Sequence, residues 1–353
     1  MATKIDFSKF TFTAEQIRDI NELLYDQVMH APDLAFIHTI FPGVVFDKEV
    51  GFLTGGGLVG KAGQGCDPTP QDYQIGTRAV TWTPKSWEVF IGECAYELEQ
   101  TAALYALRNG VLVSDLTDTD YMAIVVEFLR ESLRDFFYRI AWFGDVDAEN
   151  VGEGGQITAG VDVSYFTLND GFWEQLTAGV TANPALGVTI AANAEATKAE
   201  QVAGLTPEAA FNTLQAMYFG APLDMRASGD MRFLVTQSVA DAYMQYLQGK
   251  NFDATYRNLV DGVPALMFNG VPVIALPIWD SMIKSYQDLG NTYYKPHRAV
   301  LIEKLNLGIG IGSEDVLAKF DIWYDKTSRK NYVLAQDKID AKLLNASRFV
   351  LAQ

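Results

Sequence analysis

One amphipathic segment, Thr119 to Phe143, limits the possible folds more than any other part of the sequence. Its apolar residues recur every three or four positions, which is the spacing of one face of an α-helix. These residues are Met122, Val126, Leu129, Leu133, Phe136 and Ile140. Candidate N-caps precede the segment at 117–119, and Gly144 is placed to end the helix. A helix of about 25 residues would extend about 38 Å, a length for which most compact domains have no use.

Shorter helices and strands are predicted on both sides of this helix, without an internal repeat. Periodicity and capping residues predict further helices at 13–29, 87–107, 171–177, 206–219 and 238–247. An extended apolar stretch is predicted at 35–46, and strands are predicted at 231–235, 298–305, 318–324, 331–336 and 347–351. Residues 265–277 read as a strand, an Asn-Gly turn and a second strand. The mixture predicts an α+β fold.

A glycine-rich stretch separates the first helix from the long one. Six glycines lie between Gly55 and Gly65, two prolines follow, and few residues there could anchor a core. Strand-forming residues return at 74–84. The sequence therefore predicts a long exposed loop that leaves the body of the protein and comes back to it.

The charge balance excludes one large class of function. The chain has 27 Lys and Arg against 44 Asp and Glu, a net charge of −17, so its surface repels nucleic acids and anionic membranes. Apolar residues make up 49% of the 353 residues, which predicts a large core in two domains, or in one domain with long insertions. No apolar run approaches the roughly 18 residues of a membrane span, and no signal peptide is visible, so we expect cytoplasmic synthesis.

One motif suggests nucleotide chemistry. The segment Gly55 to Ala62 fits the glycine and lysine spacing of a phosphate-binding loop, with Lys61 at the lysine position. The chemistry of that loop needs a hydroxyl for Mg²⁺, and Ala62 stands in its place. The glycines and prolines that follow prevent the helix whose N-terminus would hold a phosphate. We expect a flexible loop and no cofactor-binding residues.

Other chemically suggestive residues have simpler explanations. Three histidines are too scattered for a zinc site and are expected at core edges or in solvent; they are His30, His38 and His297. Two groups of carboxylates that cluster in the sequence are expected on a solvated helix face; they are Glu93, Glu97 and Glu99, and Asp115, Asp118 and Asp120. A second set does not have the spacing of a calcium loop; it is Asp321, Asp325, Asp337 and Asp340, and a turn between strands explains the first two. The aromatic residues at 128–143 are expected to pack the long helix. The sequence predicts no catalytic, metal or cofactor residues and no enzyme.

The order of the elements resembles a tailed-phage major capsid protein of the Hong Kong 97 type. The likeness covers nearly the whole chain, from an arm and an out-and-back loop to a strand-rich tail. The segments that carry it are 83–88 (TPKSWE), 135–145 (DFFYRIAWFGD), 231–247 (MRFLVTQSVADAYMQYL), 268–276 (FNGVPVIAL) and 297–324. The resemblance implies an α+β fold with an N-terminal arm, an extended loop, a peripheral domain with a long spine helix, and an axial domain.

The resemblance also implies a division of the chain. It places the arm at 1–48, the glycine-rich extended loop at 49–84, the peripheral domain at 85–148 and 293–353, and the axial domain at 149–292. Some members of the family carry a cleavable scaffolding segment, whereas this sequence opens directly on the arm, so a separate scaffolding protein is expected.

The function implied by the resemblance is structural. The chain is expected to self-assemble into pentamers and hexamers of an icosahedral phage capsid in the host cytoplasm. Its expected partners are other copies, the scaffolding protein, a portal and possible decoration proteins, and it encloses double-stranded DNA without specific binding. One alternative is an encapsulin-type nanocompartment shell, and another, from a different class, is a nucleotide-binding enzyme that uses Gly55 to Lys61.

Some members of the family cross-link a loop lysine to an asparagine of a neighbour. Lys61 is the lysine of the glycine-rich loop, and Asn306, Asn331 and Asn345 are the conceivable acceptors. The buried glutamate that such chemistry requires is not evident in the sequence, so we expect non-covalent locking.

Overall fold

The computed structural model describes Arg18 and residues 32–56, 74–94, 118–250, 258–260, 263–312, 319–325, 327–328 and 330–353. Its helices are α1 (Pro32–Ile37), α2 (Asp118–Phe143), α3 (Phe172–Ala182), α4 (Lys198–Gly204), α5 (Pro207–Gly220), α6 (Leu223–Ser228), α7 (Gln237–Gly249) and α8 (Pro277–Tyr286). Its strands are β1 (Thr39–Phe41), β2 (Lys48–Gly56), β3 (Gln74–Trp82), β4 (Lys85–Cys94), β5 (Gly187–Val188), β6 (Met231–Val235), β7 (Asn258–Val260), β8 (Val263–Phe268), β9 (Val271–Ala275), β10 (Ala299–Glu303), β11 (Leu307–Ile311), β12 (Lys319–Asp325), β13 (Lys330–Leu343) and β14 (Phe349–Ala352).

The strands form two large sheets and one hairpin. The first sheet has the order β1-β11-β13-β12, and β4 pairs with the long strand β13 as its fifth member. The second sheet has seven strands in the order β5-β14-β10-β6-β9-β8-β7. Strands β2 and β3 pair only with each other among the strands described. The pairs β1–β11, β5–β14 and β6–β9 are parallel, and the remaining pairs are antiparallel.

Helix α2 is the long helix that the periodicity predicts, and its C-terminal half is the centre of the core. The predicted stripe residues Leu129, Leu133 and Ile140 are each at most 2% exposed. Near the end of the helix the burial spreads to every side, so that 140–144 are all buried. The core cluster around it contains residues of both large sheets, for example Leu307 of the first and Val300 of the second. The helix therefore joins the two sheets into one core.

The aromatic residues of α2 pack as the sequence predicts. The ring centroid of Trp142 lies 5.0 Å from that of Trp173 in α3 and 4.5 Å from that of Trp279 in α8. Phe136 and Phe137 pack against Trp87 of β4 at 4.9 and 5.5 Å. These contacts fix the end of α2 against two other helices and one strand.

The end of α2 depends on a close approach of two backbones. Gly144 follows the helix as predicted, but its role is steric, because a Cβ atom there would collide with the backbone oxygens of Asn169 and Ile140. The Gly171 N–H donates to the Gly144 carbonyl at 2.7 Å, next to the first turn of α3. Any side chain at residue 144 would therefore push α3 away from α2.

Several predicted elements are confirmed. Helix α5 begins at Pro207, and the Thr206 hydroxyl caps it by accepting the Ala209 N–H. The strand and helix predicted at 231–247 are β6 and α7. Between β8 and β9, Asn269 and Gly270 have φ angles of 48° and 80°, as a tight two-residue hairpin turn requires. Helix 171–177 also exists, as the longer α3, whereas the side chains and backbone of the predicted helix 13–29 lie outside the described residues except Arg18, which is helical.

Two predicted elements are wrong where the structure describes them. The predicted helix 87–107 is a strand from Trp87 to Cys94, and 95–107 lie outside the described residues. Inward-facing Trp87, Val89 and Ile91 alternate with outward-facing residues, and ten consecutive pairs with β13 outweigh the helical spacing. The predicted extended stretch 35–46 begins instead as helix α1, because burial of Leu34, Phe36 and Ile37 favours a helical turn before β1.

The sequence did not predict helix α8 or strand β11, and it predicted strand β13 at about half its length. Pro277, predicted as the end of a strand, is the first residue of α8. Proline fits this position because the N–H group that it lacks would have no partner within the helix. Strand β11 is rich in glycine and was missed. Strand β13 continues from the predicted 331–336 to Leu343, since its second half pairs with β11.

The sheets do not follow the predicted domain limits at every strand. Strands β10 and β14, from the segment 293–353 assigned to the peripheral domain, pair in the second sheet, where β10 lies between β14 and β6. Four of the five β10 residues are fully buried, so this strand needs a neighbour on each edge and packing on each face. The tail therefore contributes to both sheets.

The central position of α2 yields a stability prediction. Replacing Leu133, which is 1% exposed, by Asp puts an unpaired carboxylate into the apolar contact surface. We expect a loss of about 4 kcal/mol or more in the free energy of unfolding, or no soluble subunit. Urea unfolding followed by circular dichroism measures it, with Ser132→Asp, at the exposed neighbouring position, as the control. A Leu133→Asp subunit as stable as the control would show that the face is wrongly assigned.

Candidate functional site

The most distinctive surface feature is the hairpin of β2 and β3. The strands pair over nine residues, from Lys48 opposite Trp82 to Gly56 opposite Gln74. This register confirms the predicted out-and-back path. Of the phosphate-loop motif, Gly55 and Gly56 belong to β2, whereas Gly57 to Lys61 lie outside the described residues. The described part of the motif thus lies in an antiparallel hairpin, while a phosphate-binding loop follows a strand of a parallel βα unit.

The hairpin is fixed firmly at its base. Trp82 is 1% exposed and packs in a small cluster with Val44 and Leu344. Its ring covers Gly308 and Gly310 of β11, where added Cβ atoms would lie 3.0 and 2.9 Å from it. These glycines make room for the tryptophan, which explains why β11 lacks the side chains that mark a strand in the sequence.

A buried carboxylate completes the anchor. Asp340 Oδ2 accepts the Thr83 N–H at 2.7 Å and lies 3.6 Å from Lys342 Nζ. Burial raises the pKa of Asp340. The Asp340 side chain is fully buried. It binds the chain at the point where it turns from β3 to β4.

His38 is a core residue with both ring nitrogens in use. Its Nδ1 lies 3.1 Å from the Leu34 carbonyl, which can only accept, so Nδ1 carries the proton. Its Nε2 accepts the Trp142 indole N–H at 2.8 Å. Burial lowers the pKa of His38 to about 3, and the ring stacks on Phe172. His38 thus positions the helix end and is neutral at physiological pH.

His297 forms a pair with a serine that the sequence did not reveal. Its Nε2 donates to the Gln201 carbonyl at 2.9 Å, and its Nδ1 accepts the Ser238 hydroxyl at 2.7 Å. A serine next to a histidine can act as an activated nucleophile. Here His297 is 2% exposed, and burial lowers its pKa. The pair links the start of α7 to the segment at 193–201, and the histidine ring is enclosed in the protein. His30 lies outside the described residues.

The candidate carboxylates whose side chains the structure describes lie apart from one another. Among the described residues, no group of three or more His, Cys, Asp or Glu side chains could hold a metal ion. Asp321 lies near Lys319, and Asp325 accepts the backbone N–H groups of Thr327 and Ser328, as expected for a turn. Asp337 is buried, and it accepts the N–H of Lys338. The side chains of the remaining candidates lie outside the described set; they are Glu93, Glu97, Glu99, Asp115, Asp118 and Asp120.

Two of the asparagines considered as cross-link acceptors form hydrogen bonds within the chain. Asn306 is buried, and its amide donates to the carbonyls of Asn345 and Arg348, both at 2.9 Å. Asn345 Oδ1 accepts from the backbone and the hydroxyl of Ser347. The side chains of Lys61 and Asn331 are outside the described residues. The absence of a cross-link therefore stays a prediction.

A small cavity next to the buried Arg298 is too small for a substrate. Arg298 is 2% exposed, donates to Lys295 and Tyr294 carbonyls, and packs against Phe143 and Trp173. Burial lowers its pKa to about 10, so it stays charged at neutral pH. The adjoining cavity measures about 50 Å³, and Asp145 and Glu174 lie in its wall. A space of this size holds a few waters, and the carboxylates repel anions.

Large apolar side chains are exposed at many positions of the described surface. They are Val45, Phe46, Phe90, Val146, Tyr165, Val202, Phe219, Leu223, Leu305 and Trp323. Three aromatic rings on the outer face of the first sheet stack on one another, with Phe90 5.2 Å from Tyr332 and Trp323 5.5 Å from Tyr332. Exposed apolar groups of this size mark surfaces that contact other proteins.

Comparison with solved structures identifies the fold of the chain. No protein family model and no curated protein matches the sequence. Among solved structures, a chain of the satellite phage P4 procapsid has 11% identity and a TM-score of 0.55, with coverage of 94% of this chain and 98% of that one. A Gordonia phage Cozz chain has 13% identity and a TM-score of 0.51, with coverage of 90% and 85%. An encapsulin of Synechococcus elongatus matches with 11% identity, a TM-score of 0.47 and coverage of 97% and 91%.

The first two likenesses define the class of structure to which the chain belongs. It has the fold of tailed-phage major capsid proteins, with mixed helices and sheets along nearly its whole length. The predicted α+β phage capsid fold is thereby confirmed. The likeness to the encapsulin is weaker and adds no argument. Within the described part of the chain, no helix is both long and apolar enough to span a membrane.

The environment of His38 yields a pH prediction. Its pKa in the folded chain lies below the ordinary 6.5, so the fold favours the neutral ring. This contribution is complete above pH 6.5 and is lost as the pH falls towards 3, at about 1.4 kcal/mol per pH unit. We expect the stability difference between the native chain and His38→Gln to shrink by about 2 kcal/mol from pH 7 to pH 5.

Urea unfolding at several pH values measures this difference. The buried carboxylates and His297 titrate in both proteins, so their contributions cancel in the comparison. A stability difference that stays constant over this pH range would contradict the assigned role of His38.

Proposed function

We propose that this chain is the structural subunit of an icosahedral phage capsid, which self-assembles into pentamers and hexamers around double-stranded DNA. The observation that carries the proposal is the match to a procapsid chain over 94% of this protein and 98% of that chain. The described sites agree with it, since the polar clusters are buried and structural.

The hairpin of β2 and β3 supports the same function. An isolated two-stranded hairpin is only marginally stable in water, so it needs another surface to cover it. Among the described strands, neither β2 nor β3 has a second neighbour. A neighbouring subunit in a closed shell supplies such a surface. The firm base at Trp82 and Asp340 would transmit the position of the hairpin to the body of the subunit.

The domain organisation belongs to the proposal. We assign the arm to 1–48, the extended loop to 49–84, the peripheral domain to 85–148 and 293–353, and the axial domain to 149–292. Strands β10 and β14 extend from the tail into the second sheet, so the two domains would share a continuous core.

The partners and location also belong to the proposal. A scaffolding protein, a portal and possible decoration proteins would join the shell, which would assemble in the host cytoplasm and become part of the virion. The chain would have no enzymatic activity and no cofactor. Its net charge of −17 suits a wall that encloses DNA without binding it.

Assembly of the purified chain tests the proposal. We expect large closed particles in sedimentation and in negative-stain electron microscopy when the chain is expressed with the scaffolding protein encoded near it. Particles that carry DNA after packaging support a capsid, whereas a cargo enzyme inside them would indicate an encapsulin-type shell. A chain that stays monomeric under all these conditions contradicts the proposal.

Deleting Gly55 to Gly65 separates assembly from folding. Its described residues, Gly55 and Gly56, lie at the end of the hairpin opposite the Trp82 anchor. We expect the thermal transition of the subunit to stay within a few degrees of the native one, while the yield of particles falls at least tenfold. A lost thermal transition would show that the segment belongs to the core.

Titration of the native chain with ATP and Mg²⁺ tests the alternative of a nucleotide-binding enzyme. We expect no binding by the native chain and no difference for Lys61→Ala. Tight binding that Lys61→Ala abolishes would favour the enzyme instead.

A further inference from the structure

A groove of about 680 Å³ lies between β4 and α2. Six consecutive residues of β4, Ser86–Ile91, line one side of it. Because alternate side chains of a strand point to opposite faces, a run of six means that the edge of the strand borders the groove. The other edge of β4 is occupied by β13. No strand of the described residues pairs with the edge at the groove, so its backbone groups are open to a partner.

The opposite side of the groove combines apolar side chains with a cation. Phe136 and Ile140 of α2 and Leu168 line it, and Tyr165, 60% exposed, lies at its rim. Arg139 also lines it and donates from Nε to the Tyr165 carbonyl at 3.3 Å.

Arg139 has no carboxylate within ion-pair distance among the residues that the structure describes. Its guanidinium lies 5.5 to 5.8 Å from the ring centroids of Phe136, Tyr165 and Phe166. Asp135, one turn earlier, acts on it only at longer range. A half-buried cation among aromatic rings attracts a carboxylate strongly, since little water screens it. The groove therefore fits an extended segment in which an aromatic residue stands next to an acid.

This chain presents such a segment on another part of its surface. Phe46 is 77% exposed, Val45 is 38% exposed, and Asp47 is exposed beside them. The segment has a firm base, because Val44 is buried and its N–H donates to the Ile311 carbonyl at 2.9 Å. Lys338 Nζ donates to the Val45 carbonyl at 2.7 Å and lies over the Phe46 ring. Phe46 does not line the groove of its own chain.

We propose that the groove between β4 and α2 receives the segment Val45–Asp47 of a second copy of this chain. Phe46 packs between the strand edge and α2, and Asp47 pairs with Arg139. The inference rests on the proposed capsid function and names one contact through which the subunits recognise each other. The charges support it: the chain has a net charge of −17, and this groove offers the cation Arg139. The groove also contains Glu88, whose carboxylate accepts a hydrogen bond from the Gln336 side chain at 2.9 Å.

The contact is head to tail, because the segment and the groove are different parts of the surface. Repeated head-to-tail contacts produce rings when the rotation closes, and rings are the components of a shell. One aromatic side chain buries about 150–250 Å², whereas a stable interface buries about 1,200–2,000 Å². Phe46 is therefore an anchor within a larger interface.

Substitution of Phe46 tests the anchor. The residue is exposed, so Phe46→Asp leaves the subunit folded, which the thermal transition of the disassembled subunit checks. We expect the concentration needed for assembly to rise about thirtyfold or more, the effect of losing an interface hot spot. Phe46→Leu, the matched control, keeps an apolar side chain and stays within a few-fold of the native value. Native-like assembly of Phe46→Asp overturns the proposal.

Charge substitution tests the pairing with Arg139. Asp47→Lys places two cations together and is expected to weaken assembly at least tenfold, whereas Asp47→Glu keeps the charge and has little effect. Equal assembly by the two variants overturns the assignment of Asp47.

Disulfide trapping shows whether the contact joins two copies. In a chain carrying Cys66→Ser and Cys94→Ser, Val45→Cys, which leaves Phe46 and Asp47 in place, and Ser164→Cys are made in separate chains, which are mixed, assembled and oxidised with oxidised glutathione. We expect a disulfide-linked dimer of the two chains, and none when Val202→Cys replaces Ser164→Cys. Particles that assemble without this dimer overturn the docking and leave the capsid function intact. Failure of the native chain to assemble overturns both.

Discussion

Packing around Trp142 determines how the rest of the structure is arranged. This fully buried side chain, two residues from the end of α2, contacts Trp173 of α3 and Trp279 of α8. Its indole N–H donates to His38, directly after α1. Four chain segments therefore meet at one side chain. Because both large sheets pack on the same core, α2 can extend from it as a long rod while its end stays fixed.

A second, smaller cluster of buried side chains holds the hairpin of β2 and β3 in the same way. Trp82 occupies the space that Gly308 and Gly310 leave, and Asp340 binds the following backbone N–H. The hairpin therefore has a rigid base, and among the described strands no other pairs with its distal part. An element that contacts a neighbouring subunit has these properties. The exposed segment at Phe46 lies directly before β2, so the same anchor would position both the hairpin and the proposed contact.

The sequence predicted elements whose signals are local. The 3.6-residue stripe gives α2, Thr206-Pro207 gives the start of α5, and Asn269-Gly270 gives the hairpin between β8 and β9. The errors occur where distant residues decide. Strand β4 exists because β13 pairs with it along ten residues, and β11 is a strand of small residues because Trp82 must pack on it. No local pattern contains either fact.

The candidate sites show the same difference between local signals, which the sequence contains, and contacts between distant residues, which it does not. Sequence reasoning placed no catalytic residue, but it could not foresee the Ser238–His297 pair, whose members are 59 positions apart. Asp337 and Asp340 are buried where β13 pairs with β4 at Asp337 and with β11 at Asp340, and these partner strands are distant in the sequence. The sequence could not predict the groove with Arg139 either, because the groove forms between α2 and a strand that was predicted as a helix.

A reconstruction of assembled particles by cryo-electron microscopy tests the central claim most directly. The account predicts an icosahedral shell in which the hairpin of each subunit lies on a neighbouring subunit, while α2 keeps its contacts with α3 and α8. Particles without icosahedral symmetry, or a shell in which each hairpin packs on its own subunit, would contradict it.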